Sequence, residues 1–240
     1  QKDKKEALKW YINAAKQNDK RALRYLEMIY PEKIHTEVNK TDYLYYNNNE
    51  IQYHISKMSA SMKNTVLLKK DGTVIAAGSN QWGQCNIKDW KNIISVDCSD
   101  YMTVGLKQNG TVVAVGNNEE GQCNVQSWKD IVSIACGRYH TVGLSIYGTV
   151  KVVGRNKNGQ CDVQGWKEIV SIACSSVHVV GLRKDGTVVA RGENGYGQCD
   201  VRDWRNISAI FCCGCYTVGL QKDGTVETTK GNHGPYHVQN

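Results

Sequence analysis

The sequence has no stretch of eighteen apolar residues, and this absence excludes a helix that spans a membrane. It also has no long block of like charge. The 30 Lys and Arg residues stand against 23 Asp and Glu residues, so the net charge is +7. This mild excess permits an acidic protein partner without requiring one, and it does not favour nucleic acid as a partner.

Signatures of catalysis are missing as well. The sequence holds no glycine-rich phosphate loop, no His-Glu-x-x-His zinc motif and no nucleophile elbow. Of the six histidines, only His140 and His178 occupy equivalent positions in the repeats described below, and Met102 and Tyr216 replace them in other copies. No fixed acid–base role is therefore needed, and we predict a protein that is not an enzyme and has no cofactor.

The ten cysteines do not form a metal-binding pattern. Outside the cluster Cys212-Cys213-Gly214-Cys215, no pair has the Cys-x-x-Cys spacing of zinc sites, and we predict no metal site. Eight cysteines recur in phase with the repeats: Cys85, Cys98, Cys123, Cys136, Cys161, Cys174, Cys199 and Cys212. Cysteines in phase within strand-like runs are typical of small buried hydrophobic residues, which predicts a reducing compartment and a cytoplasmic protein.

What the sequence does contain is a tandem repeat of 38 residues. Four Gly-Gln-Cys tripeptides follow one another at this step, beginning at Gly83, Gly121, Gly159 and Gly197. The same step separates four tryptophans: Trp90, Trp128, Trp166 and Trp204. A Gly-Thr turn signal recurs in the same phase from Gly72 to Gly224, so the chain is an array of repeated structural units.

Each repeat reads as a small antiparallel sheet. In one copy the runs 131–136, 141–144 and 149–153 are short, rich in Val, Ile and Thr, and bounded by glycine turns, which predicts three strands. Residues 160–163 predict a fourth extended piece. Such a sheet cannot bury both faces alone, and radial stacking of these sheets gives a β-propeller. We predict an all-β propeller with five blades of 38 residues.

The first and last copies are degraded, as expected where an array ends. Glu227 and Lys230, for example, stand where other copies carry apolar residues. Five blades could close into a ring, or they could form an arc of a larger ring, and the sequence leaves both arrangements open.

The repeat also resembles a known family. The string GRYHTVGL begins at Gly137, YGTVKVVGRNKNGQCDV follows it, and Trp166 completes the unit. This order of elements is similar to the repeat of the regulator of chromosome condensation (alpha-tubulin suppressor-like) family, from residue 51 to the C-terminus. The resemblance implies a seven-bladed propeller, a fold shared by secreted β-lactamase inhibitors with short repeats. By analogy, it also makes nucleotide exchange on a small GTPase an alternative function.

The first fifty residues follow a different pattern. Ala7, Trp10, Tyr11 and Ala14 form an apolar stripe at helical spacing, and a second helix is predicted before Pro31. The string EALKWYINAAKQNDKRALRYLEMIY resembles one Sel-one-like helical repeat. We predict an α-helical hairpin over 1–32, a polar linker over 33–50 and propeller repeats over 51–240.

Strand alternation assigns the loops to two faces. The first strand of each repeat runs from the Trp connector to the Gly-x-x-His turn, and the second returns to the Gly-Thr hairpin. We therefore expect connectors and hairpins on one face, with a rim of basic residues offset by nearby acids. The Gly-x-x-His turns and the loops before Gly-Gln-Cys share the other face. Residues identical in every copy serve the blade, and we expect each Trp to wedge between neighbouring blades.

The turns and loops of the second face differ in every copy and carry aromatic residues with mixed charges. That composition is typical of a protein-binding surface, although variation without function would also make the copies differ. The predicted partner-binding residues are Trp82, Asp100, Tyr101, Glu119, Glu120, Arg138, Tyr139, Lys157, Tyr196 and Tyr216. We predict a non-catalytic protein-interaction scaffold, with GTPase regulation or inhibition of an enzyme as alternatives.

Overall fold

A computed structural model describes residues 55–229, which form fifteen β-strands in five antiparallel sheets of three strands each. In chain order the strands are β1 (Ile55–Ala60), β2 (Asn64–Lys69), β3 (Val74–Gly78), β4 (Ile93–Cys98), β5 (Met102–Lys107), β6 (Val112–Gly116), β7 (Ile131–Cys136), β8 (His140–Ser145), β9 (Val150–Gly154), β10 (Ile169–Cys174), β11 (His178–Arg183), β12 (Val188–Gly192), β13 (Ile207–Cys213), β14 (Tyr216–Gln221) and β15 (Val226–Thr228). Each consecutive trio makes one sheet, numbered 1 to 5. The predicted helical hairpin and linker lie outside the described residues and stay predictions.

The prediction of five small sheets at a step of 38 residues is confirmed. The fourth extended piece in each repeat was wrong. Residues 160–163 make turns instead of a strand: the Asp162 N–H donates to the Gly159 carbonyl, and the Val163 N–H donates to the Cys161 carbonyl. These local bonds use the backbone groups that a fourth strand would need for pairing.

Apolar cores fill the interfaces between consecutive sheets. One core joins Val104 and Leu106 of sheet 2 to Ile134 of sheet 3, with Trp128 from the connector between them. The Trp128 ring packs closely against Gly143 in the middle of β8. An added Cβ at that glycine would stand 2.5 Å from the ring atom Cζ3. The same pairing recurs at the other interfaces: Trp90 with Gly105, Trp166 with Gly181, and Trp204 with Gly219. The prediction that the tryptophans wedge between blades is confirmed.

Connectors and hairpins are hydrogen-bonded to each other on one face. The Ile131 N–H donates to the Gly110 carbonyl at 3.0 Å, and the Ile146 N–H donates to the Asp130 carbonyl at 2.9 Å. The connector residue that accepts the second bond has a left-handed backbone in four copies, with φ between 57° and 61°: Asn92, Asp130, Glu168 and Asn206. We call this surface the connector face, and the prediction that connectors and hairpins share it is confirmed.

Among the described residues, extensive contacts between sheets are found only between sheets that follow each other in the chain. The first strands of neighbouring sheets, such as β4 and β7, touch each other, whereas sheets 1 and 5 are not joined in this way. The sequence left open a closed ring of five blades and an arc of a larger ring. Residues 55–229 match the arc, because their first and last sheets are not joined. No helix in this part of the chain is long and apolar enough to cross a membrane.

Candidate functional site

The Gly-Gln-Cys tripeptide holds the loop that precedes it. The Gln122 side chain is fully buried, and its Oε1 accepts the Glu120 backbone N–H at 3.0 Å. The Cys123 thiol donates to the Asn117 carbonyl at 3.3 Å. Burial raises the pKa of that thiol to about 11, so it stays protonated and can donate. All four copies of the tripeptide make both contacts, which explains why the tripeptide does not vary.

A threonine in the next blade joins this loop to its neighbour. The Thr141 hydroxyl donates to the Gln122 carbonyl at 2.7 Å, and Thr103 and Thr217 make the equivalent bond. Val179 replaces the threonine in sheet 4 and is equally buried. The polar part of the repeat therefore connects blades as well as shaping loops.

The turns and loops that vary between copies lie on one face. The Asn117 N–H donates to the Tyr101 carbonyl, and the Arg155 N–H donates to the Tyr139 carbonyl, both at 2.9 Å. These bonds put each Gly-x-x-His turn beside the loop before Gly-Gln-Cys, as predicted. We call this surface the variable face; it consists of turns 61–64, 99–102, 137–140, 175–178 and 213–216 and loops 79–83, 117–121, 155–159 and 193–197.

Tyr101 and Tyr139, which belong to neighbouring blades, contact each other on this face. Their rings stack at a centroid distance of 5.7 Å, with 20° between the ring planes. Arg138 bridges them: its guanidinium Nη2 donates to the Tyr101 hydroxyl at 2.8 Å. The guanidinium carbon also lies 5.1 Å from the Tyr101 ring centroid and 5.4 Å from that of Tyr139, within cation–π range.

Two further cations extend this stack, and sequence reasoning missed both. Lys63 Nζ lies 4.7 Å from the Tyr101 ring centroid, and the Arg155 guanidinium carbon lies 5.7 Å from that of Tyr139. The repeat could have identified Lys63, because this residue lies 38 positions before Tyr101 in the degraded first copy. We call Lys63, Tyr101, Arg138, Tyr139 and Arg155 the cation–aromatic ladder.

The other predicted residues have different environments. Trp82 and Tyr196 are each 44% exposed, and Glu119, Glu120 and Lys157 are also exposed. Tyr216 is half-buried. Asp100 is buried, and its carboxylate accepts the Met62 backbone N–H at 3.1 Å, so it holds the neighbouring turn in place.

His140 and His178 lie beneath the variable face and are fully buried. His178 has Ser175 Oγ 2.7 Å from Nδ1 and Thr217 Oγ1 2.9 Å from Nε2, whereas neither ring nitrogen of His140 has a partner among the described residues. Burial lowers the pKa of both imidazoles from 6.5 to about 4. Between these values the unfolded chain binds more protons than the folded one, so stability falls as the pH falls through this window.

Residues 212–215 form the one irregular group of cysteines. Cys213 is exposed and Cys215 is half-buried, and all ten cysteines are free thiols. Within residues 55–229, no group of three or more His, Cys, Asp or Glu side chains comes together in a way that could hold a metal ion. This cluster does not contribute to the cation–aromatic ladder.

Comparison with known proteins supports the repeat assignment. The family model of the regulator of chromosome condensation (RCC1) repeat matches residues 93–122, 131–160 and 169–198. No curated protein matches the sequence. The residues in front of the propeller repeats have no match to this family model.

Several solved structures share the fold. Human WBSCR16 is 19% identical, with a TM-score of 0.63 over 78% of this chain and 65% of its own. The ectodomain of the Physcomitrella patens receptor kinase CR4 is 17% identical, with a TM-score of 0.61 over 73% of this chain and 53% of its own. Saccharomyces cerevisiae Prp20p, described with its binding to Gsp1p and histones, is 21% identical, with a TM-score of 0.57 over 72% of this chain and 56% of its own.

The chain thus spans between half and two thirds of the length of these structures. Because the identities are low, these structural matches establish only the fold. The three matches to the family model identify the type of repeat. The described part of the chain is an RCC1-like β-propeller.

Proposed function

We propose that this chain is a non-catalytic interaction scaffold that binds a protein partner on the variable face. The observation that carries the proposal is the stack of Tyr101 and Tyr139, bridged by Arg138 across two blades. Tyrosine and arginine, with tryptophan, are the residues that most often dominate the energy of protein interfaces.

The blade itself does not require these side chains. Lys63, Tyr101, Tyr139, Val177 and Cys215 occupy the same repeat position and differ in size, charge and polarity. The backbone bonds of the turn are nevertheless present in all the copies from Tyr101 to Val177. The fold does not depend on these side chains, yet those of the ladder pack against one another. They are therefore suited to contact a partner.

The ladder is also ordered before any partner arrives. Stacking and the bond from Arg138 to the Tyr101 hydroxyl restrict the rotamers of three side chains. Binding then loses less conformational entropy, at about 0.5–1.5 kcal/mol for each side chain that would otherwise be immobilised. Exposed Trp82 and Tyr196, on loops of the same face, extend the aromatic surface.

Photo-crosslinking tests the choice of face. A benzophenone amino acid replaces Tyr139 in the full chain or, as a control, Tyr147, which is 76% exposed on the connector face. We expect a discrete crosslinked protein from position 139 and none from position 147. We also expect this product to disappear when Trp82, Tyr101 and Tyr196 are changed to Ala.

A second control lies on the connector face. Ile146 is 66% exposed beside Tyr147, and I146A should leave crosslinking from position 139 unchanged. A discrete product from position 147 alone, or one that survives the triple change, would contradict the proposal.

Nucleotide exchange on a small GTPase is the second candidate, since Prp20p was described with its binding to Gsp1p. The two functions differ in a release assay that uses small GTPases loaded with a fluorescent guanine nucleotide. Acceleration of release by the full chain would favour exchange, whereas an interaction scaffold leaves the rate unchanged.

A further inference from the structure

A cleft opens beside Tyr139, at one end of the cation–aromatic ladder. It has a volume of about 280 Å³ and is lined by Arg138, Arg155, Asn158 and Ser176, with Tyr139 as one wall. Pockets for drug-sized ligands have volumes of about 300–1,000 Å³. This cleft is therefore suited to a single side chain or a small charged group.

Both arginines at the cleft have unused hydrogen-bonding capacity. The Nε atoms of Arg138 and Arg155 are shielded from solvent and have no hydrogen-bond partner among the described residues. Arg138 has one side-chain bond, to the neutral Tyr101 hydroxyl. Nε atoms that are shielded from solvent are also out of reach of a ligand, so a ligand in the cleft would accept from the terminal guanidinium N–H groups of Arg155, which lines the cleft.

Carboxylates on this face accept hydrogen bonds from amide N–H groups, although the charge of Asp100 also helps to raise the pKa of Arg138. The Asp100 carboxylate accepts the Met62 N–H, that of Glu119 accepts the Asn117 side-chain amide, and that of Glu193 accepts the Gly195 N–H. The hydrogen bond from Arg138, together with the charges of Arg138 and Lys63, lowers the pKa of the Tyr101 hydroxyl. Positive charge from Lys63, Arg138 and Arg155 therefore surrounds the two tyrosines, with the negative charge of Asp100 acting on Arg138.

We propose that this cleft binds an oxyanion, a carboxylate or a phosphate, carried by a peptide segment of the protein partner. The inference rests on the proposed function and specifies what the variable face recognises. The N–H fork of a guanidinium group matches the two oxygens of a carboxylate or two of the oxygens of a phosphate, and the Tyr139 ring can pack against the chain that carries either group.

The surroundings favour a peptide over a nucleic acid. Nucleic acids are held by several cations that follow consecutive phosphates. Here the two arginines line a single cleft, with Lys63 one blade away, on a face that also exposes Glu119 and Glu120, whose charges would repel a polyanion. A single acidic or phosphorylated residue within a peptide avoids this repulsion.

Matched peptide libraries test the proposal without knowledge of the partner. Three fluorescent libraries carry a fixed central Glu, phosphoserine or Gln, with flanking positions randomised over uncharged residues. Binding of the full chain is measured by fluorescence anisotropy at low and at physiological salt. We expect the Glu or the phosphoserine library to bind roughly 10- to 100-fold more tightly than the Gln library, as charge-assisted bonds imply. The stronger of the two anionic libraries identifies the source of the oxyanion.

Substitutions locate the effect. R155Q should remove the preference for the anionic libraries, and R155K should restore only part of it because lysine cannot donate in a fork. Arg155 has no side-chain hydrogen bond among the described residues, so we expect R155Q to fold, which circular dichroism would verify. R202Q is the matched control, since Arg202 is exposed and does not line the cleft.

Three results would overturn the inference: equal binding of all three libraries, an anion preference that survives R155Q, or tighter binding of a dT20 oligonucleotide than of any library. Crosslinking from position 139 separates this failure from failure of the proposed function. A discrete product there without an anion preference would leave the interaction face standing and remove only the oxyanion site.

Discussion

The contact between Gly143 and Trp128 allows a sharp test of how the blades are held together. Gly143 lies in mid-strand and has an ordinary backbone conformation, so alanine is permitted there by the backbone. The added Cβ, however, would lie 2.5 Å from Cζ3 and 2.8 Å from Cε3 of the Trp128 ring. Because that ring is packed between two sheets, it cannot move away without disturbing the core.

The expected cost follows from two opposing effects. Overpacking of a well-filled core costs about 1–3 kcal/mol, whereas Gly to Ala at a compatible position stabilises by about 0.4–1 kcal/mol through the unfolded chain. The net effect of G143A is therefore a loss of about 1–2 kcal/mol in the free energy of unfolding. Each kcal/mol lowers the Tm of a domain of this size by about 2–4 °C.

Thermal and urea unfolding of the full chain, followed by far-ultraviolet circular dichroism, would measure this loss. G165A is the matched control, because its added Cβ would meet nothing within 4 Å. We expect G165A to be neutral or slightly stabilising. If G143A were as stable as G165A, the tryptophan could not be wedged against the strand, and the account of the blade interface would be refuted.

Three further predictions concern single repeat positions and use the same unfolding assays. T141V removes the hydrogen bond from the Thr141 hydroxyl to the Gln122 carbonyl and should lower the free energy of unfolding by about 1–2 kcal/mol. Val179, at the equivalent position, shows that the shape of valine is tolerated, so only the hydrogen bond is lost. Equal stability of T141V and the unchanged protein would contradict this. Lowering the pH from about 6.5 to about 4 should destabilise the protein by about 3 kcal/mol through His140, because burial lowers the pKa of its imidazole to about 4. H140M, which copies buried Met102, should remove this part of the pH dependence and leave the part due to His178; an unchanged slope would argue against it. E168N should raise the free energy of unfolding by about 0.5–1 kcal/mol, because asparagine tolerates the left-handed backbone of position 168 better than glutamate does. A loss of stability would argue against backbone strain at this position.

Most of the fold was readable from the sequence because the period repeats both pattern and spacing. Strand runs, the glycine turns and the four tryptophans gave the sheets, their interfaces and the two faces. The fourth strand was wrong because residues 160–163 look extended by composition, whereas Asp162 and Val163 form successive turns with residues just before them. Local hydrogen bonding of this kind leaves no trace in the pattern of apolar residues.

The candidate site was only partly readable. The step of 38 residues places Tyr101 and Tyr139 at equivalent positions of neighbouring blades, so their proximity could be predicted. The place of Arg155 could not, because it depends on how its loop folds over the Tyr139 ring. Asp100 was predicted as a partner-binding residue, but it is buried and its carboxylate accepts the Met62 N–H of the preceding blade.

The way each loop is held explains why variation collects on this face. Buried Gln84, Gln122, Gln160 and Gln198 each accept a backbone N–H, from residues whose side chains are Trp82, Glu120, Asn158 and Tyr196. The turns are likewise held through carbonyls, as at Tyr101 and Tyr139. Since a backbone bond is indifferent to the side chain, the invariant glutamines fix the shape of the loop and leave its outward residues open to change. On the connector face, by contrast, a left-handed residue and glycine hairpins restrict what each position accepts. A propeller built this way can alter what it binds on the variable face without altering how its blades pack.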